Sequence, residues 1–161
     1  MVVFVIGAAG AGKTTVGQTI ARELGWRFVE GDDYHSPAAV AKMRGGTPLT
    51  DADRAPWLAK LHGVAETAVD RRDDLVIACS ALKQRYRDLL RGSLRGVRFV
   101  YLKANEATLR RRLEERRGHY AGPALLASQL ADLEEPADAV TIDAAKPPAE
   151  IAAAVRYELG L

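Results

Sequence analysis

The chain has 161 residues, 48% of them hydrophobic and 27% charged, and a formal net charge of +2. That length and apolar share suit one compact domain over residues 1–161, while so small a net charge does not by itself indicate a nucleic-acid partner, and any cationic site must come from local clustering such as that around residues 110–117. No apolar run reaches the roughly 18 to 20 residues that a membrane-spanning helix needs, the start Val2–Ile6 lacks a basic leader, and the single cysteine, Cys79, has no internal partner, so we expect an unprocessed cytoplasmic protein with no membrane partner.

From the N-terminus, Val2–Ile6 reads as a buried strand and Lys13–Leu24 as an amphipathic helix stopped by Gly25. Between them, Gly7-Ala8-Ala9-Gly10-Ala11-Gly12-Lys13-Thr14 matches G-x-x-x-x-G-K-[ST] in the strand-to-helix setting that the motif requires. A polyphosphate needs a concave row of backbone N–H donors beside a positive helix end, and only a loop free of bulky side chains presents one. Gly7, Gly10 and Gly12 supply that backbone, Ala8, Ala9 and Ala11 keep it narrow, and Thr15 continues it into the helix. Lys13 would place its charge on the β and γ phosphates and the Thr14 hydroxyl would ligate Mg²⁺, which makes ATP and Mg²⁺ the expected cofactors.

Arg27–Val29 reads as the second strand, and Glu30-Gly31-Asp32-Asp33 follows it. Carboxylates there stand at the carboxyl edge of a parallel sheet, where ligands of such folds bind. The third strand, Leu75–Cys79, runs into Ser80-Ala81-Leu82-Lys83 without an acid, so Glu30 or Asp32 must organise the metal's waters. Asp32 is also placed to accept the proton of an attacking hydroxyl. A solvated acidic turn would read the same from these acids alone.

Further strands are expected at Val97–Leu102 and Val140–Ile142, and helices at Asp51–Arg71, Ala81–Arg91, Glu106–Arg116, Pro123–Leu133 and Pro148–Leu159. Thr50 with Asp53 three residues on marks the start of the first of these. The alternation predicts an α/β protein of three layers, a five-stranded parallel sheet with helices on both faces. In the 106–117 segment, Leu109 and Leu113 face the sheet, and Arg110 and Arg111 each have a glutamate four residues on, Glu114 and Glu115. Arg116 has no such partner and enters Gly118-His119-Tyr120-Ala121-Gly122, the look of a small lid at about 117–122. Trp57 reads as core and Asp143 as a helix cap.

Blocks in a fixed order then make a specific likeness. They are Gly7–Thr14; Gly31-Asp32-Asp33-Tyr34-His35; Lys42-Met43 through Pro48-Leu49-Thr50-Asp51-Ala52-Asp53-Arg54 to Pro56-Trp57-Leu58; and Cys79-Ser80-Ala81-Leu82-Lys83 with Tyr86-Arg87-Asp88-Leu89-Leu90-Arg91. Tyr101-Leu102-Lys103, Arg112-Leu113, Arg116-Arg117-Gly118-His119 and Gln129 to Leu133-Glu134-Glu135-Pro136 extend it. The chain resembles the bacterial-type gluconokinases, P-loop kinases related to the shikimate and nucleoside monophosphate kinases. It departs from them at Ser36, where the family usually has proline directly after the histidine.

The resemblance implies a P-loop kinase fold with a small lid, a homodimer, and transfer of the γ-phosphoryl group of ATP to the 6-hydroxyl of D-gluconate. A linear polyol carboxylate needs a cation at its acid end and hydrogen-bonding groups along its hydroxyls, and Asp32, His35, Arg54, Ser80, Lys83 and Arg87 form a set for those tasks. Arg54 and Arg87 are assigned to anionic groups; the plainer readings are a partner for Asp51 or Asp53 and a surface ion pair. His35 has the plainer reading of a loop residue that caps or packs. By resemblance, Arg112 stacks on adenine, the 144–148 loop borders it, and Arg116, with Arg117 as substitute, reaches the transferring phosphoryl group. Lys13, Asp32 and Arg116 are thus the expected catalytic residues. A kinase for shikimate remains as an alternative that the Asp32–His35 and Asp51–Leu58 blocks argue against. A nucleic-acid module built on the basic helix is a further alternative, opposed by the glutamates that balance its arginines.

Overall fold

Five consecutive apolar residues, Val2–Ile6 (β1), are each at most 1% exposed, so this strand must be covered on both faces. In the computed structural model, which describes residues 1–116 and 123–161, it is the central strand of a parallel sheet. Its neighbours are β2 (Arg27–Glu30), β3 (Leu75–Ala78), β4 (Val97–Lys103) and β5 (Val140–Asp143), in the order β2-β3-β1-β4-β5. Val3 and Val5 point into one core with α1 (Lys13–Leu24), α5 (Glu106–Glu115), α6 (Pro123–Asp132) and α7 (Pro148–Leu159). Val2, Phe4 and Ile6 point into the other, against α3 (Asp51–Arg71) and α4 (Gln84–Arg91). The three expected layers are present. The expected lid at about 117–122, with Arg117, lies outside the described residues.

Three elements depart from the sequence reading, each for a local reason. Helix α2 (Pro37–Arg44) was not expected; Ser36 caps it, accepting from the Ala39 N–H at 3.1 Å, with Pro37 in the first turn where its missing N–H costs nothing. The residue that departs from the family pattern is therefore a helix cap. Helix α4 begins at Gln84 and not Ala81, because Ala81 has φ +41, outside helical geometry. Helix α5 ends at Glu115, leaving Arg116 extended at φ −88 and ψ 130.

Candidate active site

Because β3 lies between β1 and β2, the carboxyl ends of three strands meet at one edge. They deliver the 7–14 loop, Ser80, and the Glu30–Asp32 turn to a single cleft; Gly7 N–H donates to the Ser80 carbonyl at 3.4 Å. Gly10 has φ +86, and a Cβ on it would lie 2.8 Å from the Leu109 carbonyl oxygen, so the loop can follow this path only with glycine there. Ala9, Gly10, Gly12, Lys13 and Thr14 form one wall of the cleft, Glu30, Asp32 and His35 another. Arg54, Trp57 and Ser80 also line it.

The loop's polar groups have partners of their own kind. Lys13 Nζ donates to the Ala8 carbonyl at 3.1 Å, and the Thr14 hydroxyl donates to Glu30 Oε2 at 2.5 Å. Glu30 Oε1 also accepts from the Asp32 N–H at 3.4 Å. Burial pulls the Lys13 ammonium below its ordinary pKa, opposed by the Asp32 and Glu30 charges. Burial pushes the Glu30 carboxyl up, and the Asp32 charge adds to that, while the Thr14 hydrogen bond opposes it. Burial also pushes the Cys79 thiol far up, which leaves it a small core group with no nucleophilic character.

His35 stacks on Trp57 with ring centroids 4.2 Å apart, and its Nε2 stands 3.7 Å from Asp32 Oδ1. Its side chain is 4% exposed; burial, with Arg54 adding, depresses its pKa against the pull of Asp32. The ring is therefore neutral at pH 7 and can both donate and accept. Trp57 is core, at 2% exposure, and also cleft wall, its Nε1 donating to the Gly31 carbonyl at 2.8 Å.

Arg54 serves neither Asp51 nor Asp53. Asp53 closes a capping box with Thr50 and pairs with Lys42, and Asp51 takes Arg85 and Tyr86. Arg54 instead reaches across to the Tyr86 hydroxyl at 3.0 Å and Asp132 at 3.4 Å while lining the cleft. Lys83 sits beside this group, 3.7 Å from Asp132 and 3.8 Å from Asp51, outside the cleft lining.

Arg87 revises an expectation. It is 1% exposed and donates to the carbonyls of Ala81, Leu82 and Glu134 and to Gln84 Oε1, at 2.7 to 3.0 Å. Its Nη1 and Nη2 groups tether the 81–84 loop to the 134 segment, its buried Nε has no partner among the described residues, and it lies outside the cleft lining; nor is it a surface ion pair. Arg110 likewise pairs backward with Glu106 at 2.6 Å and not forward with Glu114.

A second recess adjoins the first, between Ala11, Gly12 and Thr15 and the Ala144, Lys146 and Pro148 segment, with Arg112 and Arg116 on its rim. Arg112 donates to the Ala144 carbonyl at 2.6 Å and the Gly10 carbonyl at 3.4 Å, clamping that segment to the loop. Arg116 borders both recesses. Asp143 accepts from the Ala145 N–H at 2.9 Å; it shapes this turn and does not cap α7, whose cap position is Pro147.

Met43, Pro48, Leu49, Leu82, Leu125, Ser128 and Gln129 also line the cleft, and the sequence reading gave none of them a site role. Met43, Pro48, Leu49, Leu82 and Gln129 did lie within the blocks that carried the resemblance. Thr14 and Glu30 offer hard oxygens that suit Mg²⁺, an ion that takes few protein ligands and retains waters. Among the described residues no three acids, histidines or cysteines gather around one point, so the nucleotide's phosphates would complete its shell.

A family model described as an AAA domain matches residues 2–136. A gluconokinase of Gluconobacter oxydans is 49% identical over 134 residues, which are 83% of this chain and 75% of that one. The chain belongs to the gluconokinase family. A gluconokinase structure from Sinorhizobium meliloti superimposes with a TM-score of 0.87 at 41% identity, covering 98% of this chain and 90% of that one. An unliganded sugar kinase from Janibacter sp. gives 0.92 at 39% identity, with 99% and 94% covered. Gluconokinase membership makes this a nucleotide-using phosphotransferase with an alcohol as acceptor.

Proposed function

We propose that the protein transfers the γ-phosphoryl group of ATP to the 6-hydroxyl of D-gluconate, giving 6-phospho-D-gluconate and ADP. The observation that carries the reading is one cleft in which the phosphate loop, with Lys13 and Thr14, faces the Asp32 carboxylate across a space also lined by His35, Ser80 and Arg54. The amides of Gly10 and of residues 12–15, together with Lys13, hold the phosphate tail, while the second recess beside Arg112 takes the adenine. Bound Mg²⁺, held by Thr14 and by Glu30 through water, would neutralise charge on the β and γ phosphates.

Asp32 accepts the proton of the 6-hydroxyl as its oxygen forms the new bond to phosphorus and the bond from the γ-phosphorus to its bridging oxygen breaks. Lys13 and Arg116 stabilise the charge on the transferring group. Arg54 takes the carboxylate end of gluconate, with Lys83 behind it beside Asp132 and Asp51, and the neutral His35 and the Ser80 hydroxyl bond its hydroxyls. A homodimer and a cytoplasmic location belong to the same proposal and rest on the family likeness.

Coupling ADP release to a panel of gluconate, shikimate, adenylylsulfate and nucleoside monophosphates tests it. Turnover is expected with gluconate in the presence of Mg²⁺. Turnover with shikimate and none with gluconate overturns the assignment.

A further inference from the structure

Helix α6 contributes an unassigned wall to the cleft, through Leu125, Ser128 and Gln129. Leu125 and Leu126 are 4% and 0% exposed and anchor the helix in the core. Gln129, one turn on, reaches the phosphate loop, where its Oε1 accepts from the Ala9 N–H at 2.7 Å. A backbone N–H can only donate, so this bond fixes which end of the amide meets the loop. The oxygen is committed, and the Nε2 end carries two N–H donors.

Satisfying Ala9 does not by itself require a glutamine, because a backbone amide on an open cleft can be solvated. What the side chain adds is a neutral donor pair held at both ends, by a packed helix and by a short hydrogen bond, so little rotamer freedom is left to lose on binding. Lys13, Arg54 and Arg116 in the cleft are cations suited to phosphate and carboxylate, while its other neutral donors are the His35 ring and the hydroxyls of Thr14, Ser80 and Ser128, none of them an amide with two N–H groups. A neutral amide donor can meet a polyol hydroxyl without burying a further charge in the cleft.

We infer that Gln129 is a specificity-determining residue of the acceptor site, its Nε2 donating to one hydroxyl of the polyol chain and the Ala9 N–H setting its orientation. The inference rests on the gluconate reading for the class of acceptor. Met in place of Gln keeps the length and removes both the donors and the acceptor.

The test compares wild type with Gln129→Met on D-gluconate and on its 2-, 3-, 4- and 5-deoxy analogues, by kcat/KM. In wild type, the analogue lacking the bonded hydroxyl should be poorer by about tenfold, the worth of one neutral hydrogen bond. In Gln129→Met that analogue's penalty should shrink below about threefold, the other penalties should persist, and KM for ATP should stay within about twofold. A residue that merely braces α6 would lower every acceptor by the same factor; unchanged penalty ratios across the series therefore overturn the inference. If wild type does not turn over gluconate, the functional reading fails first and separately.

Discussion

Asp32 owes its position to Gly31. A Cβ at residue 31 would lie 2.4 Å from the Ala78 carbonyl oxygen, so glycine lets the chain turn tightly over the end of β3 and sets Asp32 on the cleft wall. With Asp32 on the acceptor and the phosphate loop on the nucleotide, Asp32→Asn should separate the two. We expect kcat to fall at least about 100-fold, the usual weight of general base catalysis, with the affinity for MgATP by calorimetry within about threefold of wild type. Nearly full turnover in that variant would remove Asp32 from the chemistry. At this scale the phosphate loop was legible because its residues are contiguous and each follows from a backbone need. The stacking of His35 on Trp57 and the bond from Ala9 to Gln129, 120 positions away, were not, since no local pattern encodes a contact made by the fold.

At the scale of elements, periodicity found every strand to within a residue at either end, because buried parallel strands are short apolar runs between turns. It missed α2, eight residues long and amphipathic only weakly, although Ser36 before Pro37 is a helix-start signal. It began α4 too early because nothing local announces that Ala81 takes φ +41. That loop is where Arg87 acts. Its four hydrogen bonds lie in a buried setting, so Arg87→Met leaves three carbonyls and the Gln84 side chain without this donor and should cost roughly 2–4 kcal/mol in urea unfolding. KM for gluconate should move by less than about threefold in the folded fraction. A large rise in that KM with unchanged stability would return Arg87 to the substrate.

At the scale of the whole molecule, strand alternation announced an α/β fold, but the order of the strands is set by how the crossovers pack and is not written in any one segment. The order decides the site: placing β3 between β1 and β2 brings the acids of the turn after β2 to the same cleft as the 7–14 loop after β1. A ligand that grips loops from three strand ends should therefore stabilise the domain core and not one loop alone. By linkage, MgATP at 100 times its Kd adds about 2.7 kcal/mol, which for a chain of this size raises Tm by about 5–10 °C. Lys13→Ala, which removes the ammonium now lodged against the Ala8 carbonyl, should lose at least half of that shift at the same nucleotide concentration while its ligand-free Tm stays within a few degrees. Chelating Mg²⁺ should reduce the wild-type shift in the same direction, since Thr14 and Glu30 would then face the phosphates without the ion between them. A wild-type Tm that does not respond to millimolar MgATP in a thermal scan would mean that the three strand ends do not form a nucleotide site, and the assignment of Lys13 would fall with it.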